Sequence, residues 1–121
     1  MADILIVDDH EQVRAVLREI LQDDAHTVRE ASDGATALAL ARERRPDIVF
    51  LDLQMPGMDG MEVLRALRED PTTKDARVVI LTARGDRDRE AGLDLGAEAY
   101  FVKPFSPLAV LELVERLAAE A

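Results

Sequence analysis

Asp47-Ile48-Val49-Phe50-Leu51-Asp52-Leu53-Gln54-Met55-Pro56-Gly57-Met58-Asp59-Gly60 is the stretch on which the fold turns. Its four apolar residues, Ile48 to Leu51, are continuous, rich in β-branched and aromatic side chains, and too few for a helix. Such a run fits a strand covered on both faces, as in a parallel sheet flanked by helices. An acid, Asp52, ends it. Pro56-Gly57 then fits the two central positions of a type II turn, which requires positive φ at the glycine. Asp59 with Glu62 has the spacing of a capping box and predicts the start of a helix.

The same grammar repeats on either side. Ile4-Leu5-Ile6-Val7, Val78-Val79-Ile80-Leu81 and Tyr100-Phe101-Val102 are further short apolar runs. Thr27-Val28-Arg29-Glu30-Ala31 alternates in polarity and predicts an edge strand. Between the runs lie helical stripes: Val13, Val16, Leu17, Ile20 and Leu21 in the first helix, Leu64 and Leu67 in the third, and Leu111, Val114, Leu117 and Ala118 in the last. Ser106-Pro107 has the form of an N-cap and first helical residue. Arg45-Pro46 and Asp70-Pro71 should close the two middle helices, and Gly96 the fourth. Strand and helix thus alternate five times. The expected fold is α/β: a doubly wound five-stranded parallel sheet, (βα)5, strand order 2-1-3-4-5, in a flavodoxin-like three-layer sandwich.

The bulk properties agree with one domain over residues 1–121. Hydrophobic residues make up 48% of the chain, enough for a core, and there is no cysteine to form a disulfide or a thiolate site. The formal net charge of -10 repels nucleic-acid phosphates, so direct nucleic-acid binding is not expected. Neither a signal peptide nor an apolar span of membrane length is visible, which predicts a cytoplasmic protein without membrane contact.

Chemistry gathers at the strand ends. The first strand ends in Asp8-Asp9, the third in Asp52, the fourth in Thr82 and the fifth in Lys103. Singly, these are a helix cap, a loop acid, a strand-end hydroxyl and a surface ammonium. In the order 2-1-3-4-5 all of them project from one rim, beside the switch point where ligands bind in such sheets. The chain contains only two lysines, Lys74 and Lys103, and its other basic residues are arginine. A lysine at 103 therefore points to a site too tight for a guanidinium. Three crowded carboxylates with one ammonium call for a hard divalent cation, and an all-oxygen set suits Mg²⁺. The turn at Pro56-Gly57 should aim the backbone near Gln54 at that ion. Both histidines are expected to stand away from the core of this rim, with His10 solvated, which argues against zinc.

Ile6-Val7-Asp8-Asp9, Asp47 to Gly60, Leu81-Thr82-Ala83 and Lys103-Pro104-Phe105, in this order and spacing, resemble the receiver domains of two-component response regulators. The resemblance spans essentially the whole chain. It implies that Asp52 is a phosphoacceptor, and that Asp8, Asp9, Asp52 and the backbone carbonyl of Gln54 hold Mg²⁺. It further implies that Thr82 and Lys103 contact the phosphoryl oxygens, that Lys103-Pro104 is a cis peptide, and that Thr82 and Tyr100 form a switch pair. Gln54 and Arg84 fall where the family tunes its dephosphorylation rate. The implied donor is a sensor histidine kinase or phosphotransfer protein. The implied recipient is a downstream effector protein or a covalently linked output domain, addressed through the fourth helix, fifth strand and fifth helix. Asp86, Arg87, Asp88, Arg89 and Glu90 open that fourth helix with almost nothing apolar, leaving Ala91, Leu93 and Leu95 as its anchors.

Such a switch catalyses only its own phosphorylation and dephosphorylation and is not otherwise an enzyme. Two other functions suit the same fold. A flavodoxin-like ligand-binding module would need a glycine-rich phosphate loop where Asp8-Asp9 stands. A Mg²⁺-dependent phosphohydrolase would need a general acid near Asp52, which Gln54 is not. A receiver reduced to a docking surface is disfavoured because every chemical position is filled.

Overall fold

The computed structural model describes residues 2–22 and 26–120; Met1 and Ala121, the bounds expected for the domain, lie outside them. The elements run β1 (Ala2–Val7), α1 (Glu11–Leu21), β2 (His26–Ala31), α2 (Gly34–Glu43), β3 (Ile48–Leu51), α3 (Gly60–Glu69), β4 (Arg77–Thr82), α4 (Arg89–Asp94), β5 (Ala99–Val102) and α5 (Pro107–Glu120). All strand pairings are parallel, and the sheet order is β2-β1-β3-β4-β5. The polar run from His26 to Ala31 is an edge strand.

Period-two alternation along the central strands divides the core into two layers. Ile4, Ile6, Ile48, Phe50, Val79 and Leu81 pack with Leu17 and Leu21 of α1 and with Val110, Leu113, Val114 and Leu117 of α5. Leu5, Val7, Val49, Leu51, Val78 and Ile80 pack on the other face with Ala37, Leu38 and Ala41 of α2 and Val63, Leu64 and Leu67 of α3. The three-layer sandwich follows.

Two stripe residues fall outside the core. Val16 is exposed and Leu111 only half-buried. At about 100° per residue, each points more than about 100° away from the line its buried neighbours share, so apolar character alone placed them too far inward.

Caps follow their local chemistry. Asp59 accepts from the Met61 N–H at 2.8 Å, and Glu62 accepts from the Asp59 N–H at 3.2 Å, completing the capping box of α3. Ser106 Oγ accepts from the Ala109 N–H at 3.2 Å at the start of α5. Gly57 has φ 79° and Gly96 has φ 84°, the left-handed values that the Pro-Gly turn and the end of α4 require.

The first residue of α3 fits tightly against the third strand's end. A Cβ on Gly60 would stand 2.3 Å from the Asp52 carbonyl oxygen and 2.6 Å from Leu53 Cα, both backbone atoms. Glycine here lets the helix N-terminus rest on the loop that carries Asp52. Gly60→Ala should destabilise the domain by about 2 kcal/mol in denaturant melts. Alanine in a helix ordinarily gains about 1 kcal/mol over glycine. A stabilised Gly60→Ala variant would mean that the loop yields without cost.

Candidate functional site

Parallel pairing sets the site. Val7 pairs with Leu51, so the next residues, Asp8 and Asp52, leave the sheet side by side. Their backbone needs are met locally: the Asp52 N–H donates to the Val7 carbonyl at 2.9 Å and the Asp8 N–H to the Ala31 carbonyl at 3.1 Å. Both side chains are sequestered, each residue being only 2% exposed. Lys103 reaches them from the end of β5, with Nζ 2.7 Å from Asp8 Oδ2 and 3.4 Å from Asp52 Oδ2. Its N–H donates to the Thr82 carbonyl at 2.8 Å, and the Lys103–Pro104 peptide is cis. The Gln54 N–H donates to Asp52 Oδ1 at 3.0 Å.

Burial raises the Asp52 carboxyl above its ordinary value of 3.8, and the neighbouring Asp8 charge pushes the same way. The Gln54 N–H and the Lys103 ammonium offset part of this. The group is an anion held where an anion is costly, so added positive charge would stabilise it.

Asp9 completes the acidic group. Its Oδ1 is enclosed and has no hydrogen-bond partner among the described residues, although His10 Nδ1 stands 3.1 Å away. The expectation that both histidines stand clear of the rim is corrected for His10. Its N–H donates to Asp8 Oδ1 at 2.8 Å and its ring Nδ1 bonds the same oxygen at 3.2 Å, which holds the imidazole against the carboxylates while the side chain stays exposed, as expected. Ligand atoms of Asp8, Asp9, His10 and Asp52 all lie within 4.8 Å of one another. The orphaned Asp9 oxygen and the hard carboxylate donors of this cluster fit a bound divalent cation. His26, at the far end of the sheet, accepts from the Ala2 N–H at 3.3 Å and takes no part.

Sequence reasoning passed over Arg14. Its guanidinium donates to the Asp8 carbonyl at 2.7 Å and to Glu30 at 3.1 Å, pinning the Asp8-Asp9 loop to α1 and β2. The available signal was a charged residue inside an apolar helical stripe, between Val13 and Leu17.

Thr82 is fully buried at the end of β4, and its Oγ1 accepts from the Arg84 N–H at 3.2 Å. The Arg84 side chain links two loops. Nη1 donates to the Leu53 carbonyl at 3.2 Å and to Asp59 Oδ2 at 3.3 Å, while Nε lies 3.1 Å from Asp88 Oδ2 without hydrogen-bond alignment. Tyr100 is 4% exposed, and its hydroxyl donates to the Gly85 carbonyl at 2.7 Å. The Arg89 guanidinium lies over the Tyr100 ring, 4.9 Å from its centroid.

The fourth helix differs from expectation. Residues 85–88 form a turn, and α4 proper begins only at Arg89. Ala91 and Leu93 are exposed and do not anchor it; Leu95 is half-buried. The buried residue is Gly92, where a Cβ would stand 2.6 Å from Ile80 Cδ1. A glycine carries no hydrophobic signal, so an apolar-residue reading selected its neighbours instead.

The family model for the response regulator receiver domain matches residues 4–115, most of the chain, including every element of this site. The chain belongs to that family. This receiver domain is 40% identical over 119 residues to the transcriptional regulatory protein ResD of Bacillus subtilis, covering 98% of the chain and 48% of ResD. It is 44% identical over 117 residues to the response regulator PleD of Caulobacter vibrioides, covering 96% of the chain and 26% of PleD. The receiver domain thus spans about half or less of these relatives. Among solved structures, the chemotaxis protein CheY4 of Vibrio cholerae superposes with a TM-score of 0.86 at 35% identity, covering 97% of this chain and 98% of that one. Receiver domains belong to two-component systems and act as signalling switches rather than as classical enzymes. No helix among the described residues is long and apolar enough to cross a membrane.

The raised Asp52 carboxyl has a thermodynamic signature. The folded receiver binds that proton more tightly than the unfolded chain does. The group's contribution to stability is therefore fully present below its unfolded value of 3.8 and is lost as pH rises through the folded value. Asp52→Asn should stabilise the cation-free domain near neutral pH by about 1 kcal/mol or more. The difference should close as pH falls toward 3.8. Denaturant melts in EDTA at stepped pH values check this, and equal midpoints at neutral pH would mean that the buried carboxylate is not penalised.

Proposed function

We propose that this receiver domain is a phosphorylation-driven switch that accepts a phosphoryl group on Asp52. The observation that carries the reading is the Asp52 carboxylate itself. It is buried and raised in pKa, one oxygen is held by the Gln54 N–H, and the other faces the Lys103 ammonium. In the proposed step a carboxylate oxygen of Asp52 attacks the phosphorus of a phosphohistidine on a sensor kinase or phosphotransfer protein. The P–N bond breaks, an acyl phosphate forms on Asp52, and the donor imidazole departs with its electron pair.

Asp8, Asp9, Asp52 and the Gln54 backbone carbonyl would hold Mg²⁺. Bound there, the ion supplies the positive charge that three carboxylates and a phosphoryl group lack. Lys103 already sits at 3.4 Å from the acceptor oxygen and holds part of the transferred charge. Thr82, one strand over, offers its hydroxyl to a phosphoryl oxygen. That hydroxyl now accepts from the Arg84 N–H, so turning toward a phosphate disturbs the segment beginning at Arg84. Gln54 and Arg84 flank the acceptor and the hydroxyl and set the lifetime of the acyl phosphate.

The response passes to the surface of α4, β5 and α5. Tyr100 touches this route through Gly85, the first residue of the turn that precedes α4, and Arg89, the first residue of α4. A phosphate on Asp52 biases any element with two arrangements to the extent that its contacts differ between them. The recipient is an effector protein or a linked output domain, and the setting is the cytoplasm.

Two measurements test this. A small phosphodonor such as acetyl phosphate, with Mg²⁺, should add one base-labile phosphoryl group by intact mass, and Asp52→Asn should abolish it. An Asp52→Asn protein that gains an equally labile phosphate would place the acceptor elsewhere. With beryllofluoride as a stable mimic, hydrogen exchange should change most between Ala83 and Pro104 and little in α1 and α2. Changes confined to α1 and α2 would rule out the route through Thr82 and Tyr100 while leaving Asp52 as acceptor.

A further inference from the structure

We infer that His10 supplies a nitrogen donor to the cation site of Asp8, Asp9 and Asp52, and that this donor raises the site's preference for borderline divalent ions such as Co²⁺ relative to Mg²⁺. The inference rests on the cation site proposed above.

Spacing is the first argument. Around an octahedral ion with bonds of about 2.1 Å, adjacent ligand atoms stand about 3.0 Å apart. His10 Nδ1 lies 3.1 Å from Asp9 Oδ1 and 3.2 Å from Asp8 Oδ1. The nitrogen thus already occupies the separation expected of neighbours on one ion, and its ligand atom belongs to the same 4.8 Å group as Asp52.

The Asp9 contact is the second argument. An imidazole nitrogen and a carboxylate oxygen at this distance normally share a proton, yet this pair lacks the alignment of a hydrogen bond and leaves Asp9 Oδ1 unpartnered. His10 Nδ1 is itself hydrogen-bonded to Asp8 Oδ1 at 3.2 Å, so ligation would exchange that bond for one to the cation, which would also meet the unpartnered Asp9 oxygen.

Mobility is the third. The His10 side chain is 60% exposed, so little packing opposes the small adjustment that ligation needs. Its backbone is nevertheless fixed, through the N–H bond to Asp8 Oδ1 and its place as N-cap of α1. The ring is tethered at its base and, at Nδ1, by the 3.2 Å bond to Asp8 Oδ1, with its far edge open to solvent.

Ligand type then decides the preference. Imidazole suits Co²⁺, Ni²⁺ and Zn²⁺, whereas Mg²⁺ favours oxygen donors. With His10 the site is no longer all oxygen. If His10 Nδ1 served only as a hydrogen-bond partner of Asp8, any effect of its removal would be the same for both kinds of ion.

The test uses the full chain and measures dissociation constants for Mg²⁺ and Co²⁺ calorimetrically, in the wild type, His10→Asn, His26→Asn and Asp9→Asn. The Co²⁺/Mg²⁺ affinity ratio should fall about tenfold or more in His10→Asn, since even outer-shell partners of a metal site are worth that much. It should not change in His26→Asn. Proton NMR of the Co²⁺-loaded wild type should show a hyperfine-shifted, exchangeable imidazole resonance that His10→Asn lacks. An unchanged ratio, or no such resonance in the wild type, overturns the role of His10. Asp9→Asn separates this from the underlying site: it should weaken both ions, and unaltered Mg²⁺ affinity there would overturn the cation site itself.

Discussion

One ammonium holds together what the sheet would otherwise drive apart. Parallel pairing of β1 with β3 places Asp8 beside Asp52, and both are buried, so their mutual repulsion is weakly screened. Lys103 Nζ lies between them at 2.7 and 3.4 Å. The same residue bonds through its backbone to the Thr82 carbonyl and leads into α5. The edge strand β5, the hydroxyl-bearing β4 and the two acidic strand ends therefore meet in a single residue. Their negative charge still exceeds the positive, and that imbalance is the chemical property the site offers to a cation or to an incoming phosphoryl group's own counter-charges.

Apart from Lys74, the chain's other basic side chains are arginines, and at Arg68 and Arg29 the structure shows why lysine would not serve. Arg68 donates to the carbonyls of Leu95, Lys74, Ala76 and Gly96 from one guanidinium, joining the end of α4 to the loop before β4. Burial lowers its pKa, yet it stays charged. Arg29 likewise spans Asp3 and the carbonyls of Leu40 and Arg44. A flat fork with five donors can satisfy several acceptors in different directions. A point charge cannot, and it fits where the acceptors converge, as at Lys103.

What the sequence disclosed follows the same physical lines. Ile48 to Leu51 announced a buried parallel strand because burial on both faces leaves no polar residue in the run. Asp59 with Glu62, Ser106 with Pro107, and Gly57 and Gly96 were legible because caps and left-handed turns depend on chemistry a few residues apart. Asp8, Asp52, Thr82 and Lys103 could be brought to one rim once the strand order was known. The seat of α4 could not be read, since Gly92 makes its contact by lacking a side chain. The exposure of His10 was foreseen but its turn toward the carboxylates was not, because neighbours in sequence do not tell which way a ring turns. Arg84 was placed beside the site, but its bonds to Leu53 and Asp59 join segments far apart in the chain, and no local pattern encodes them.

The glycine seat gives α4 a mechanical character unlike that of its neighbours. Helices α1, α2, α3 and α5 lock into the sheet through interleaved side chains, and sliding any of them would force rotamer changes or open voids. Gly92 instead lays helix backbone against Ile80 and Tyr100. A helix displaced from such a seat leaves behind no socket in the core. Apart from Leu95 at its end, its movement therefore opens less void than that of its neighbours, so hydrostatic pressure, which unfolds proteins by collapsing internal voids, should have less purchase on the position of α4.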